Sequence, residues 1–140
     1  MSQENVEAVK RGIDAYNRRD IDALLKELDP DVEFHPALAV LLGGEKVVFR
    51  GHEGMRASIR EEDEDLAVFQ FETLDILDLG RRVLVVGRAH IRGKESGVEV
   101  ETLFCVLTES KGEKSKDTRA THIRTYLDLK EALEAAGLSE

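Results

Sequence analysis

The chain has 140 residues, a length that suits one domain spanning 1–140 and leaves no room for a second hydrophobic core. Its formal net charge is −9, and no run of Lys or Arg offsets that charge locally. Nucleic acid and anionic membrane surfaces are therefore excluded as expected partners, because both select for clustered positive charge. A single cysteine, Cys105, excludes an intrachain disulfide, and the first residues lack the pattern of a signal peptide. We expect a cytoplasmic protein.

The first residues show the spacing of amphipathic helices. Apolar side chains recur every three or four positions and predict a helix over 4–18, with these residues on one face: Val6, Val9, Ile13 and Tyr16. Asp20 is a suitable N-cap for a second helix. The apolar pattern extends this helix to Leu28, and Pro30 should stop it.

Residues 31–35 alternate in the manner of a strand, with Val32 and Phe34 on one side and Glu33 and His35 on the other. The strand must stop pairing at Pro36, which has no amide proton to give. A histidine at such a point can face a cavity, and an imidazole with a pKa near 6.5 suits proton transfer at neutral pH. We predict His35 as a catalytic residue and Phe34 as a ligand contact; a half-buried imidazole bonded to Glu33 is the structural alternative.

Six apolar residues, 37–42, follow this strand directly. A loop that only crosses solvent should be polar, so this segment must pack against a hydrophobic ligand, a partner subunit or its own domain. If the segment packs against a hydrophobic ligand, Leu38 and Leu41 are ligand-binding residues beside His35.

The rest of the chain predicts a short strand at 46–50, a helix, four long strands and a final helix. The middle helix has an imperfect inner stripe, and the final helix should begin after Asp128. The stripe residues are Met55, Ile59, Glu62 and Leu66, and the long strands are 67–79, 82–92, 97–110 and 116–127. Long strands beside three early helices favour an α+β fold, with a curved sheet wrapped around the helices.

Two of the long strands form a hairpin with charged residues on one face. Centring its turn at 94–95 pairs His90 with Glu99 and Arg88 with Glu101. If this face lines a cavity, His90 is an oriented base; if it lies outside, these are ordinary cross-strand ion pairs. On the last strand, His122 is a further candidate for ligand binding, alongside Tyr16 on the first helix.

Metal and cofactor sites find little support in the sequence. The histidines stand at 35, 52, 90 and 122, without the close spacing of metal ligands on a helix or a strand. The segment LGGE at 42–45 lacks the Lys and Ser or Thr of a phosphate-binding loop. We expect no metal and no cofactor.

Several phrases resemble the SnoaL-like branch of the nuclear transport factor 2-like superfamily. They are MSQENVE at 1–7, YN at 16–17 with Asp20, DPDVEFHP at 29–36, RGHEG at 50–54, GVEVE at 97–101 and the closing YLDLKEALEAAGL at 126–138. The resemblance implies a conical α+β barrel of a mainly antiparallel sheet around N-terminal helices, closed by a C-terminal helix. It also implies a pocket between sheet and helices, and often a homodimer through the sheet.

Members of this superfamily include isomerases, cyclases, hydrolases and non-catalytic binders, so the fold alone does not choose a reaction. His35 resembles the place where ketosteroid isomerase-type members carry an aspartate base. Their helix-one tyrosine, however, aligns with Gly12, while Tyr16 lies one turn later. Without convergent donors an enolate-type intermediate is poorly stabilised, so steroid isomerisation is not expected.

The sequence leaves two functions open. One is a cofactor-independent acid–base enzyme, of isomerase, cyclase or hydrolase type, acting on a small hydrophobic molecule. The alternative is a non-catalytic dimeric module that binds a ligand or a protein.

Overall fold

The fold is given by a computed structural model that describes residues 2–37, 47–111 and 116–138. Within those ranges the elements are α1 (Ser2–Asn17), α2 (Ile21–Lys26), β1 (Leu28–His35), β2 (Phe49–Arg50), α3 (Gly51–Asp65), β3 (Leu66–Leu79), β4 (Arg82–Gly93), β5 (Glu99–Glu109), β6 (Ala120–Tyr126) and α4 (Leu129–Ala135). This order confirms the predicted α+β class. Leu38 and Leu41 lie outside the described residues.

The strands form a mixed sheet in the order β2-β1-β6-β5-β4-β3. β1 runs parallel to β6, and the other neighbouring pairs are antiparallel. Register shifts interrupt β3 between Leu66 and Val68 and between Thr73 and Asp75, and such bulges increase the twist of a sheet. In the described part of the chain the curved sheet does not close into a complete barrel, since β2 and β3 remain its edges.

The two faces of the sheet are covered by different helices. We call the face against α1 the inner face; it carries Val83, Val85 and Ala89 of β4, which pack with Phe69, Phe71 and Phe104. The opposite, outer face is covered at one end by α4, where Leu84, Cys105 and Leu107 pack against Ala132 and Ala136. Beyond α4, the outer face as far as the structure describes it is exposed, with Arg88 and Glu101 side chains 46% and 58% accessible.

The first elements match the predicted helices except at one boundary. Asp20 caps α2 as predicted, because its carboxylate accepts a hydrogen bond from the amide of Ala23 at 3.2 Å. The prediction that this helix reaches Leu28 is wrong: α2 ends at Lys26 and Leu28 starts β1, paired with Ala120. Pro30 lies inside β1, at an irregular stretch between Leu28 and Glu33 where the pairing with β6 shifts register.

The β4–β5 hairpin has a longer turn than predicted. His90 pairs with Glu101, and Arg92 pairs with Glu99, so the register differs by two residues from the expected one. The chain turns between Gly93 and Val98, whose amide and carbonyl are hydrogen-bonded at 3.0 Å. A shift of two preserves the face of every side chain, and the charged residues therefore remain together on the outer face.

Candidate functional site

A cavity of about 130 Å³ lies between α1 and the inner face of the sheet. Its walls are mostly apolar and come from helices and strands far apart in the sequence. The helical side chains include Ala8, Val9, Ile13, Tyr16, Leu24 and Met55, and the strands add Phe34, Phe69, Phe71, Val83, Phe104, Val106 and Ile123. Apolar walls with a few polar groups are typical of pockets for small organic ligands.

Aromatic rings form one side of this cavity. Phe69 meets Tyr16 edge to face with ring centroids 5.7 Å apart, and meets Phe104 in the same way at 5.5 Å. Phe71 also contacts Phe104, at 6.0 Å. Such contacts hold flat rings in fixed orientations. The wall is therefore suited to a flat or aromatic ligand.

A buried cluster of ionisable groups interrupts the apolar wall. The hydroxyl of Tyr16 donates to the carboxylate of Glu62, and Arg19 donates to the same carboxylate at 2.6 Å. The guanidinium carbon of Arg19 also lies 4.7 Å from the centre of the Tyr16 ring. Tyr16 and Glu62 both line the cavity. The cluster thus presents one acid–base pair to any ligand bound there.

Burial controls the protonation of this pair. The side chain of Glu62 is only 10% exposed. Loss of hydration raises its pKa, although the hydrogen bonds from Tyr16 and Arg19 act in the opposite direction. Burial and the charge of Glu62 together raise the pKa of Tyr16 well above its usual value, so the phenol stays protonated at neutral pH. A carboxylate with a raised pKa beside a permanent donor is an arrangement suited to proton transfer.

Chain geometry explains why these residues meet. Tyr16 is on the apolar stripe of α1, and Glu62 is on the inner stripe of α3, where a carboxylate replaces an apolar residue. Arg19 follows α1 with a φ of 57°, a left-handed conformation that is uncommon for a residue with a side chain. An acidic residue at an apolar position was the sequence signal for Glu62; Arg19 carried no comparable signal.

The predicted site residues separate between the two faces of the sheet. Tyr16 and Phe34 line the cavity. His35 alternates with Phe34 along β1 and pairs with Arg124 on the outer face, where its Nε2 lies 3.4 Å from Glu33 Oε1. Strand alternation sends neighbouring side chains to opposite faces, so His35 does not reach the cavity that Phe34 enters.

The other two predicted histidines are also on the outer face. His90 Nε2 donates a hydrogen bond at 3.1 Å to the carboxylate of Glu72 on the neighbouring strand, and the His90 side chain is 40% exposed. His122 lies beside Glu109, with 3.9 Å between Nδ1 and the carboxylate oxygen. The pairs around His90 are therefore cross-strand contacts at the surface. This is the alternative in which the charged face of the hairpin lies outside the cavity.

Polar groups stand at the end of the cavity near the β3–β4 turn. Asn5 donates to the carbonyl of Gly80 at 2.9 Å, and Arg81 forms an ion pair with Glu109 at 3.2 Å. Ser110 and Thr118 lie in the same part of the wall. This end therefore offers hydrogen-bonding groups that the middle of the cavity lacks.

Two further findings concern the described part of the chain. No three His, Cys, Asp or Glu side chains in residues 2–37, 47–111 and 116–138 are grouped so that they could hold a metal ion. None of the helices in these ranges is both long and apolar enough to cross a membrane.

Comparison with known proteins places this architecture in a family. The profile of the SnoaL-like domain matches residues 9–122. No curated protein matches the chain in sequence.

Solved structures share the fold at low sequence identity. An NTF2-like protein of unknown function from Burkholderia pseudomallei is 23% identical over 93% of this chain and 95% of its own, with a TM-score of 0.76. TerC, co-crystallised with polyporic acid, is 23% identical over 96% of both chains, with a TM-score of 0.74. A putative SnoaL-like polyketide cyclase from Shewanella denitrificans is 17% identical over 94% of this chain and 97% of its own, with a TM-score of 0.68. The chain belongs to the SnoaL-like domain family, and its fold is the one seen in NTF2-like proteins.

Proposed function

We propose that the cavity binds a small, largely hydrophobic organic molecule and that Tyr16 and Glu62 act on it by proton transfer, without a cofactor. The observation that carries this proposal is the Tyr16–Glu62 pair in the wall of an otherwise apolar cavity. A cavity that served packing alone would be filled as well by an apolar side chain at position 62, because replacing a buried ion pair with apolar residues is often neutral or stabilising.

Each group has a definite role in this proposal. Glu62 takes a proton from the ligand and returns it, and its raised pKa brings it closer to neutral pH than an exposed carboxylate. Tyr16 remains protonated, and once Glu62 holds the proton from the ligand, the Tyr16 hydroxyl can donate its hydrogen bond to the carbonyl oxygen of the ligand instead. Arg19 donates to the Glu62 carboxylate at 2.6 Å and to Asp63 at 3.1 Å, so it offsets part of the negative charge. A base and one such donor are groups that proton transfer at a carbon next to a carbonyl group uses, as in isomerisation or cyclisation.

The comparisons support the ligand class but not a particular reaction. One structural neighbour is named as a putative polyketide cyclase and another was crystallised with polyporic acid, so related folds are associated with organic substrates. We therefore expect this chain to take a small aromatic carbonyl compound, whose ring would lie against Phe69 and Phe104, because a cavity of about 130 Å³ has room for about one ring.

The test separates binding from chemistry. Small aromatic carbonyl compounds are screened by the change in the amide NMR spectrum, and turnover is followed for those that bind. Glu62→Gln keeps the shape of the carboxylate but cannot take a proton, so turnover should be lost while binding is retained. His90→Gln, on the outer face, is the matched control and should change neither.

The results also decide between an enzyme and a binding protein. If Glu62→Gln and wild type bind a compound equally and neither transforms it, the alternative of a non-catalytic binding module is correct. If no compound perturbs residues of the cavity, ligand binding itself is refuted.

We further propose that two copies associate through the exposed part of the outer face. Opposite charges alternate there, with Arg88 lying 3.8 Å from both Glu72 and Glu101, next to half-buried Leu103. A two-fold axis would bring such a surface against itself with complementary charges. Sedimentation equilibrium should then give twice the chain mass of 15.7 kDa, and Leu103→Glu should give the single mass.

A further inference from the structure

A second, smaller cavity of about 80 Å³ lies on the outer face, beside the end of α4. It differs in character from the apolar cavity, because most of its lining side chains are basic or polar, although Arg81 and Glu109 line both cavities. They come from the start of β4 and the turn before it, the end of β5, and β6: Arg81, Arg82, Glu109, His122 and Arg124.

The strand register explains how these side chains come together. Arg82 of β4 pairs with Glu109 of β5, which in turn pairs with His122 of β6, so the three form one row across the sheet. Arg124 stands in the adjacent row, next to Leu107. Arg82 and Arg124 therefore lie on opposite sides of β5, with Glu109 and Leu107 between them.

The positive charge of this cavity exceeds its negative charge. Its carboxylate, Glu109, is already paired with Arg81 at 3.2 Å. Arg82 donates one long hydrogen bond, of 3.5 Å, to the carbonyl of Ala135. Among the residues that the structure describes, neither Arg82 nor Arg124 has a carboxylate within ion-pair distance. Within the described residues, two guanidinium groups thus have no carboxylate partner, in a chain whose net charge is −9.

We propose that this cavity binds a small oxyanion, a phosphate or carboxylate group, between Arg82 and Arg124. A guanidinium presents a planar set of donors that matches the oxygens of either group. The cavity of about 80 Å³ is the smaller of the two and its lining is mostly charged, so the occupant is a small ion or one anionic group of a larger molecule. This proposal does not depend on chemistry in the apolar cavity.

Titration of the protein with inorganic phosphate and, separately, with acetate tests the proposal. Sodium chloride keeps the ionic strength constant, which removes general screening from the comparison. Amide NMR shifts should saturate, and the largest should come from β6 and the start of β4. The anion with the lower Kd identifies the preferred chemistry as phosphate or carboxylate.

Two single variants and one control make the result specific. Arg82→Gln and Arg124→Gln should each weaken binding about tenfold or more, because each removes a charge-assisted contact. Arg92→Gln removes the same charge from the far end of β4 and should leave the Kd unchanged. The side chain of Arg124 makes no hydrogen bond within the described residues, so its variant should fold even if Arg82→Gln does not. Shifts that never saturate for either anion, or equal weakening by Arg92→Gln, would overturn the proposal.

Discussion

Tyr16 on α1 donates a hydrogen bond from its hydroxyl to the carboxylate of Glu62 on α3, a residue 46 positions further along the chain. This contact joins two helices through the wall of the cavity. It also couples the protonation of Glu62 to the stability of the fold, because this carboxylate is buried and has a raised pKa. Both consequences can be measured.

The first prediction concerns pH. Burial makes the folded protein hold the proton of Glu62 more tightly than the unfolded chain does, where a glutamate titrates near pH 4.3. Any stability from this group is therefore fully present below that value and is lost as the pH rises through the higher pKa of the folded state. In urea titrations, wild type should lose stability relative to Glu62→Gln as the pH is raised over this window. A difference that is constant, or that changes in the opposite direction, would contradict the raised pKa.

Removing the phenol hydroxyl should destabilise the fold. Tyr16→Phe leaves the buried carboxylate with Arg19 but without its second donor, at an expected loss of about 1–3 kcal/mol in the free energy of unfolding. Because the hydrogen bond from Tyr16 lowers the pKa of Glu62, that pKa should also rise further. Tyr126→Phe, on the outer face, is the control; a comparable loss there would show that the effect is not specific to Glu62.

A glycine in β4 allows an aromatic ring to lie flat against the sheet. A Cβ atom at Gly87 would stand 2.3 Å from the ring of Phe71 and 2.5 Å from the carbonyl oxygen of Glu72. We expect Gly87→Ala to lower the free energy of unfolding by about 1–3 kcal/mol, as overpacking does in other cores.

The control for that substitution is Gly12 on α1. A Cβ there would meet its nearest neighbours, Glu27 and Leu24, at 3.9 Å, which is ordinary contact. Gly12→Ala should therefore raise stability, by up to about 1 kcal/mol, since alanine favours a helix more than glycine. Chemical denaturation of both variants gives the comparison, and a destabilised Gly12→Ala protein would show that space at the glycine is not the deciding factor.

The position of His35 predicts that it is not the base for a ligand in the apolar cavity. Its imidazole lies on the outer face next to Glu33, whose own pKa is lowered because the hydrogen bond and charge of Arg50 outweigh its desolvation. His35→Gln should leave the affinity and turnover of a cavity ligand unchanged, whereas Glu62→Gln should abolish turnover. Loss of turnover in His35→Gln with the fold intact would restore the role predicted from the sequence.

Local patterns determined most of the elements. The spacing of Val6, Val9, Ile13 and Tyr16 placed α1, Asp20 marked the start of α2, and alternation placed the long strands. These signals are local because a helix repeats every 3.6 residues and a strand every two. The end of α2 was misjudged because Leu28 can satisfy either period, and only its pairing with Ala120 makes it part of a strand.

The sequence by itself also showed which side chains share a face: Phe34 with Val32, and His35 with Glu33. It did not determine which of the two faces encloses a cavity, since alternation is symmetrical until a strand is paired and covered. That choice was made by the parallel pairing of β1 with β6 and by the packing of α1, which turned Phe34 inward and His35 outward. Likewise Tyr16, Arg19 and Glu62 could each be read from the sequence, but only the tertiary structure brings them together, because α1 and α3 are neighbours in space and not along the chain.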